Sequence, residues 1–98
     1  MANKEHLKLL RQGVDNWNAW RRKERLTKPD LSDAKLSRAN LSGAILSGTI
    51  LSWTILKKAH LRGANLREAH LGGANLAGAD LSGADLTRST LIGTDYGR

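Results

Sequence analysis

Residues 59–83 read AHLRG ANLRE AHLGG ANLAG ADLSG, five consecutive pentapeptides that each put a small residue first and leucine third. Outward from this stretch the leucine recurs at every fifth position thirteen times: Leu31, Leu36, Leu41, Leu46, Leu51, Leu56, Leu61, Leu66, Leu71, Leu76, Leu81, Leu86 and Leu91. Tyr96 takes the next slot. Two residues ahead of each stands Pro29, Ala34, Ala39, Ala44, Thr49, Thr54, Ala59, Ala64, Ala69, Ala74, Ala79, Ala84, Ser89 or Thr94. An internal repeat this regular decides the architecture before any local propensity is weighed.

A period of five excludes both regular elements. A straight strand alternates faces every residue, so positions five apart point to opposite sides. A helix advances about 100° per residue, so positions five apart drift by about 140° and leave no stripe. The chain must therefore bend once per repeat and bring every leucine back to one interior. Stacked turns of such a coil pair like parallel strands about 4.8 Å apart. The residue two before each leucine also points inward, and the narrow interior requires it to be small. Positions directly before, directly after and two after leucine face solvent. Seven of the ten glycines occupy the position two after leucine, where corners form, yet Arg38, Trp53, Lys58, Glu68 and Arg88 share that slot. Periodicity leaves the number of sides open.

Segments such as Ala39-Asn40-Leu41-Ser42-Gly43, Ala64-Asn65-Leu66-Arg67-Glu68 and Ala79-Asp80-Leu81-Ser82-Gly83 resemble the A(D/N)LXX unit of the pentapeptide-repeat family. The resemblance runs from Pro29 to Arg98. It implies an all-β solenoid, a right-handed, four-sided (quadrilateral) parallel β-helix with four pentapeptides per coil and about three and a half coils. The lead-in, Leu9 to Trp20, is similar to segments that precede the repeats in cyanobacterial members. Two parts follow, an N-terminal helical cap over 1–28 and the repeat β-helix over 29–98.

Composition sets further bounds. Ninety-eight residues fit one small domain. Without cysteine there is neither a disulfide framework nor thiol chemistry. No stretch reads as a membrane span and the first ten residues lack a signal-peptide core, which places the protein in the cytoplasm. The net charge of +7 sits mainly in the lead-in: residues 1–29 carry eight Lys/Arg against three Asp/Glu, residues 30–98 eight against six.

In the lead-in, Leu7, Leu10, Val14 and Trp17 recur at spacings of three and four, which predicts one amphipathic helix over about Lys4–Glu24, with Asn3 as its cap and Gly13 as a weak point. A solenoid exposes strand edges and apolar core at its end. Leu10, Val14, Trp17 and Trp20 are therefore expected to plug the first coil. Nothing comparable follows the last repeat, so the C-terminal coil around Leu91 and Tyr96 is expected to stack on a protein partner, a second copy in a homodimer or another repeat protein.

The slot before leucine holds Asp or Asn more often than any other pair of residue types, six times in thirteen, but it holds Ile45, Ile50 and Ile55 in succession. On four sides these form a partial apolar girdle, and the outward Trp53 joins it as a second possible interface. Lys57, Lys58, Arg62 and Arg67 spread over successive sides, an arrangement that disfavours nucleic acid. His60 and His70 fall on opposite sides and cannot share a metal. No Ser/His/Asp set, carboxylate pair or phosphate loop has a usable geometry, so no catalytic, cofactor or metal site is expected. The chain reads as a non-enzymatic structural or protein-interaction module. The alternative that the family resemblance implies is a DNA-mimicking binder of a type II topoisomerase such as gyrase, which calls for a long acidic rod; this chain is short and basic.

Overall fold

Thirteen tight turns, one per pentapeptide, shape the chain. In each the leucine carbonyl accepts the amide of the residue three further on, from Ala34 to Leu31 through Thr94 to Leu91, at 2.9–3.2 Å. The third residue of every turn has φ between 59° and 73°. A positive φ at that position is the mark of a type II turn and favours glycine. Asp33, Arg38, Trp53, Lys58, Glu68 and Arg88 accept the same backbone without it. The computed structural model describes residues 1–97; Arg98, the last residue of the range assigned to the coil, lies outside them.

The turns close a four-sided coil. Ten parallel bridges each join residues twenty apart, so four pentapeptides complete one circuit. The first side stacks Asp30, Ile50, His70 and Thr90; the second Lys35, Ile55, Asn75 and Asp95. The third stacks Asn40, His60 and Asp80; the fourth Ile45, Asn65 and Asp85. Each bridge carries two backbone bonds, such as Ile50 N–H to Pro29 O and Leu31 N–H to Ile50 O, both 2.8 Å. The amide and carbonyl of the residue before leucine thus point up-coil, toward the N-terminus. The leucine amide points down-coil.

The interior is a column of leucine. Leu31 through Leu76 are buried, as are Ala34, Ala44, Thr49, Thr54, Ala59, Ala64, Ala69 and Ala74. Leu81, Leu86 and Leu91 are only half-buried. Tyr96, which shares a column with Leu36, Leu56 and Leu76, is 43% exposed, because no described coil lies beyond it.

The two buried threonines differ. The Thr54 hydroxyl donates to Leu31 O at 2.8 Å, and Thr94, two coils down the same column, donates to Leu71 O at 2.7 Å. Both acceptors lie twenty-three residues upstream. For Thr49 that position is Leu26, which lies before the coil begins and is 98% exposed. The Thr49 hydroxyl is accordingly buried without a partner.

Asp and Asn before leucine have a local role. Their Oδ1 accepts the amide two residues on: Asp30 from Ser32, Asn40 from Ser42, Asn65 from Arg67, Asn75 from Ala77, Asp80 from Ser82, Asp85 from Thr87 and Asp95 from Gly97. These Asx turns brace the corners. Hydroxyl donors add a second bond, and the side-chain bond from Ser32, Ser82 or Thr87, then the backbone bond, holds the carboxyls of Asp30, Asp80 and Asp85 below their ordinary value.

The lead-in forms two helices, α1 (Lys4–Arg11) and α2 (Val14–Lys23), where the spacing of apolar residues predicts one. The break falls at Gly13, whose φ of 112° is outside the helical region. Asn3 caps α1, its Oδ1 accepting the amides of Glu5 and His6. No helix among the described residues is long and apolar enough to cross a membrane.

Two outcomes follow. Thr54→Val should cost about 1 kcal/mol in urea unfolding by removing a buried hydrogen bond, whereas Thr49→Val should be neutral or stabilising, since no bond is lost. Because the three carboxyls have depressed folded values, their contribution is present above the ordinary aspartate range and is lost as pH falls through it. Melting temperature should therefore drop below about pH 4. Asp80→Asn, which keeps the turn acceptor without the charge, should blunt that drop in thermal melts.

Candidate functional site

A stack of coils has two edges with strand groups left over, and the helices lie on the up-coil one. On the first and fourth sides they supply the bonds that a preceding coil would make. Asn3 N–H donates to Asp30 O at 2.8 Å, and Asp30 N–H donates to His6 Nδ1 at 3.0 Å. Trp17 Nε1–H donates to Ile45 O at 2.8 Å, while Ile45 N–H donates to Asn18 Oδ1 at 2.8 Å. Asn18 Nδ2 also reaches Gly43 O. Arg21 bridges the helix to the coil through Ser47 O and Thr27 O, both 2.7 Å.

Apolar contacts complete this end. Trp17 is wholly buried and Leu10 nearly so, with Val14, Trp20, Leu7 and Leu9 packed against the same core. Trp20 lies between Trp17 and His6, its ring centroid 5.2 Å from each. Arg21 is only 5% exposed, its acceptors are neutral oxygens, and burial pulls its guanidinium below the ordinary arginine value. Attention to apolar spacing singles out Leu10, Val14, Trp17 and Trp20, with Asn3 as helix cap, but passes over the bond from Asn3 to the coil and over His6, Asn18 and Arg21. The signal was present: Asn18 and Arg21 lie one and four positions from Trp17, on or beside the helix face that turns inward.

The same edge is left unpaired on the other two sides. The amides and carbonyls of Lys35 and Asn40 make no hydrogen bond among the described residues. At the down-coil edge the amides of Leu81, Leu86 and Leu91 and the carbonyls of Ala79, Ala84, Ser89 and Thr94 are likewise unpaired among them.

The girdle is divided by the helices. Ile45, Ile50 and Ile55 are each half-buried on the fourth, first and second sides. Ile45 lies beneath α2, its backbone held by Trp17 and Asn18. What remains in reach is one corner, Ile50 and Ile55 flanking Trp53, which is 67% exposed. The indole rests on Gly73 of the next coil, and a Cβ added there would come within 2.5–2.7 Å of three ring atoms. His60 and His70 stand on the third and first sides. Among the described residues no group of three His, Asp or Glu side chains could hold a metal ion.

The pattern of the pentapeptide repeats family matches residues 26–63 and 64–95, and the chain belongs to that family. It is similar to a solved pentapeptide repeat protein, Rfr23, from the cyanobacterium Cyanothece 51142, at 40% identity and TM-score 0.69 over 71% of this chain and 48% of that one. A pentapeptide repeat protein from the Arabidopsis thaliana thylakoid lumen is 35% identical, TM-score 0.65, over 66% of this chain and 45% of its own. The matched part therefore spans about half the length of these relatives. No curated protein matches the chain. Family members are generally structural or interaction modules rather than enzymes.

Gly73→Ala should destabilise by about 1–2 kcal/mol through its positive φ and should also push the Trp53 indole off the surface. Gly63→Ala meets no atom within 4 Å and should cost the backbone part alone. Urea midpoints and iodide quenching of tryptophan emission separate the two.

Proposed function

We propose that this protein is a non-enzymatic interaction module that assembles end to end, its down-coil edge stacking on the same edge of a second copy. The carrying observation is that edge itself. It offers leucine amides alternating with carbonyls of the small inward residues, so a twofold axis can set donors of one copy against acceptors of the other. Beside them lie half-buried Leu81, Leu86 and Leu91, with Ile92 and Tyr96 exposed. A strand edge that is unpaired among the described residues, beside apolar core, favours pairing with another chain.

In this reading residues 1–28 cap the other end and direct assembly to one edge. The coil hand is the right hand of the family. The Ile50–Trp53–Ile55 corner gives a protein partner a second contact. The topoisomerase-binding alternative has less support, since it calls for an acidic rod and this chain carries +7.

Light scattering after size exclusion tests assembly. The expected result is a dimer that Leu86→Glu with Leu91→Glu converts to monomer while circular dichroism is unchanged. A wild-type chain that stays monomeric up to about 1 mM, the concentration at which even a 4 kcal/mol contact is half-formed, would overturn the proposal.

A further inference from the structure

On the second side of the first coil the cap leaves a gap that is shaped as a site. Lys35 presents an unpaired amide and carbonyl up-coil, the pair that elsewhere in the stack receives a neighbouring strand. Between this edge and α1 lies a depression of about 300 Å³, floored by Ala2, Leu7 and Ala34. Lys4, Arg11 and Lys35 stand around its rim. The ion pairs among the described residues are Met1 ammonium–Asp33 and Arg67–Asp85, so none of the three cations has a carboxylate partner there. Asp33 also lines the depression, but its carboxylate is 3.4 Å from the Met1 ammonium, which offsets it.

The third side provides a contrast. Asn40 has the same unpaired backbone, yet the depression beside it is lined by Gln12 to Asn16 and Ser42, with Asp15 and no cation. Of the two sides that the helices leave open, the second combines open strand edge, apolar floor and basic rim, and the third does not.

We propose that this gap is a docking site for an extended acidic segment of a partner protein. The segment adds one strand residue to the edge at Lys35, accepting its N–H and donating to its C=O. An aliphatic side chain of the segment rests on Ala2, Leu7 and Ala34, and flanking Asp or Glu residues meet Lys4, Arg11 and Lys35. Strand addition supplies affinity through the main chain, and the pocket and charges supply selectivity. A single-stranded nucleic acid would meet the cations but could not pair with the strand edge, and the only strongly exposed tryptophan, Trp53, is a base-stacking platform without a neighbour. The site is at the opposite end from the proposed dimer contact, so the two readings fail independently.

The probe is the blocked peptide acetyl-Glu-Glu-Leu-Glu-Glu-amide, titrated into the full-length ¹⁵N-labelled protein. Amide shifts are expected at Ala34–Leu36 and along α1, with Kd on the order of 1 mM or tighter. Replacing the peptide leucine by N-methyl-leucine should abolish binding, because its strand donor is gone. Lys35→Glu and Arg11→Glu, each with an otherwise unchanged spectrum, should weaken binding about tenfold. The matching lysine peptide should not bind. No shifts at saturating peptide, equal binding of the N-methyl peptide, or tighter binding of hexathymidylate at the same amides would each overturn the proposal.

Discussion

The corner turn governs this molecule. Each leucine carbonyl closes a turn with the amide three residues on, and the residue at φ near 60° redirects the chain by a quarter circuit. Without that bend a leucine every fifth residue could not share one interior, and neither strand nor helix could bury it. Six of the thirteen corners use residues other than glycine, so the fold tolerates left-handed backbone strain at nearly half of them. Asx hydrogen bonds from Asp30, Asn65 and Asp85 brace the corners at Asp33, Glu68 and Arg88, while those at Arg38, Trp53 and Lys58 follow Lys35, Ile50 and Ile55 and hold the same backbone without one. Where Asp or Asn stands before leucine, its role is thus met within three residues of chain and does not depend on exposure alone.

Once the corners are set, packing becomes nearly one-dimensional. Each coil bonds only to the coils above and below it, and the ten bridges all join residues twenty apart. Stability therefore accumulates per coil, while the outermost described coils each have one edge that no described coil pairs. The up-coil end meets it in an unusual way: side chains and one amide of two short helices reproduce individual strand bonds. Trp17, Asn18 and Arg21 do so on the fourth side and Asn3 and His6 on the first. Two helices cannot follow four sides, and the second and third are left open. The backbone groups left unpaired among the described residues lie at these edges, whereas the outer sides are mostly isolated polar columns.

Much of this was legible from the chain. The leucine period, the small inward residues and the outward placement of Trp53 follow from bend and alternation alone, and the four-sidedness came from the A(D/N)LXX resemblance. The helical lead-in was legible as apolar spacing, but the spacing of Leu7, Leu10, Val14 and Trp17 runs smoothly through Gly13 and hides the break there. The Ile45–Ile50–Ile55 run was legible as an anomaly. That α2 would cover Ile45 was not, because it depends on where a helix comes to rest twenty-seven residues away in sequence.

The amino-acid sequence by itself determined the coil, because the information for each corner is local: a leucine and a residue that holds positive φ recur every five positions, and at about half of the corners an Asp or Asn acceptor stands before the leucine. The tertiary structure decided what the ends and surfaces offer. Which strand groups the helices satisfy, why Thr49 lacks the partner that Thr54 has, and where Lys4, Arg11 and Lys35 converge all depend on elements brought together across the chain. No local pattern encodes those meetings.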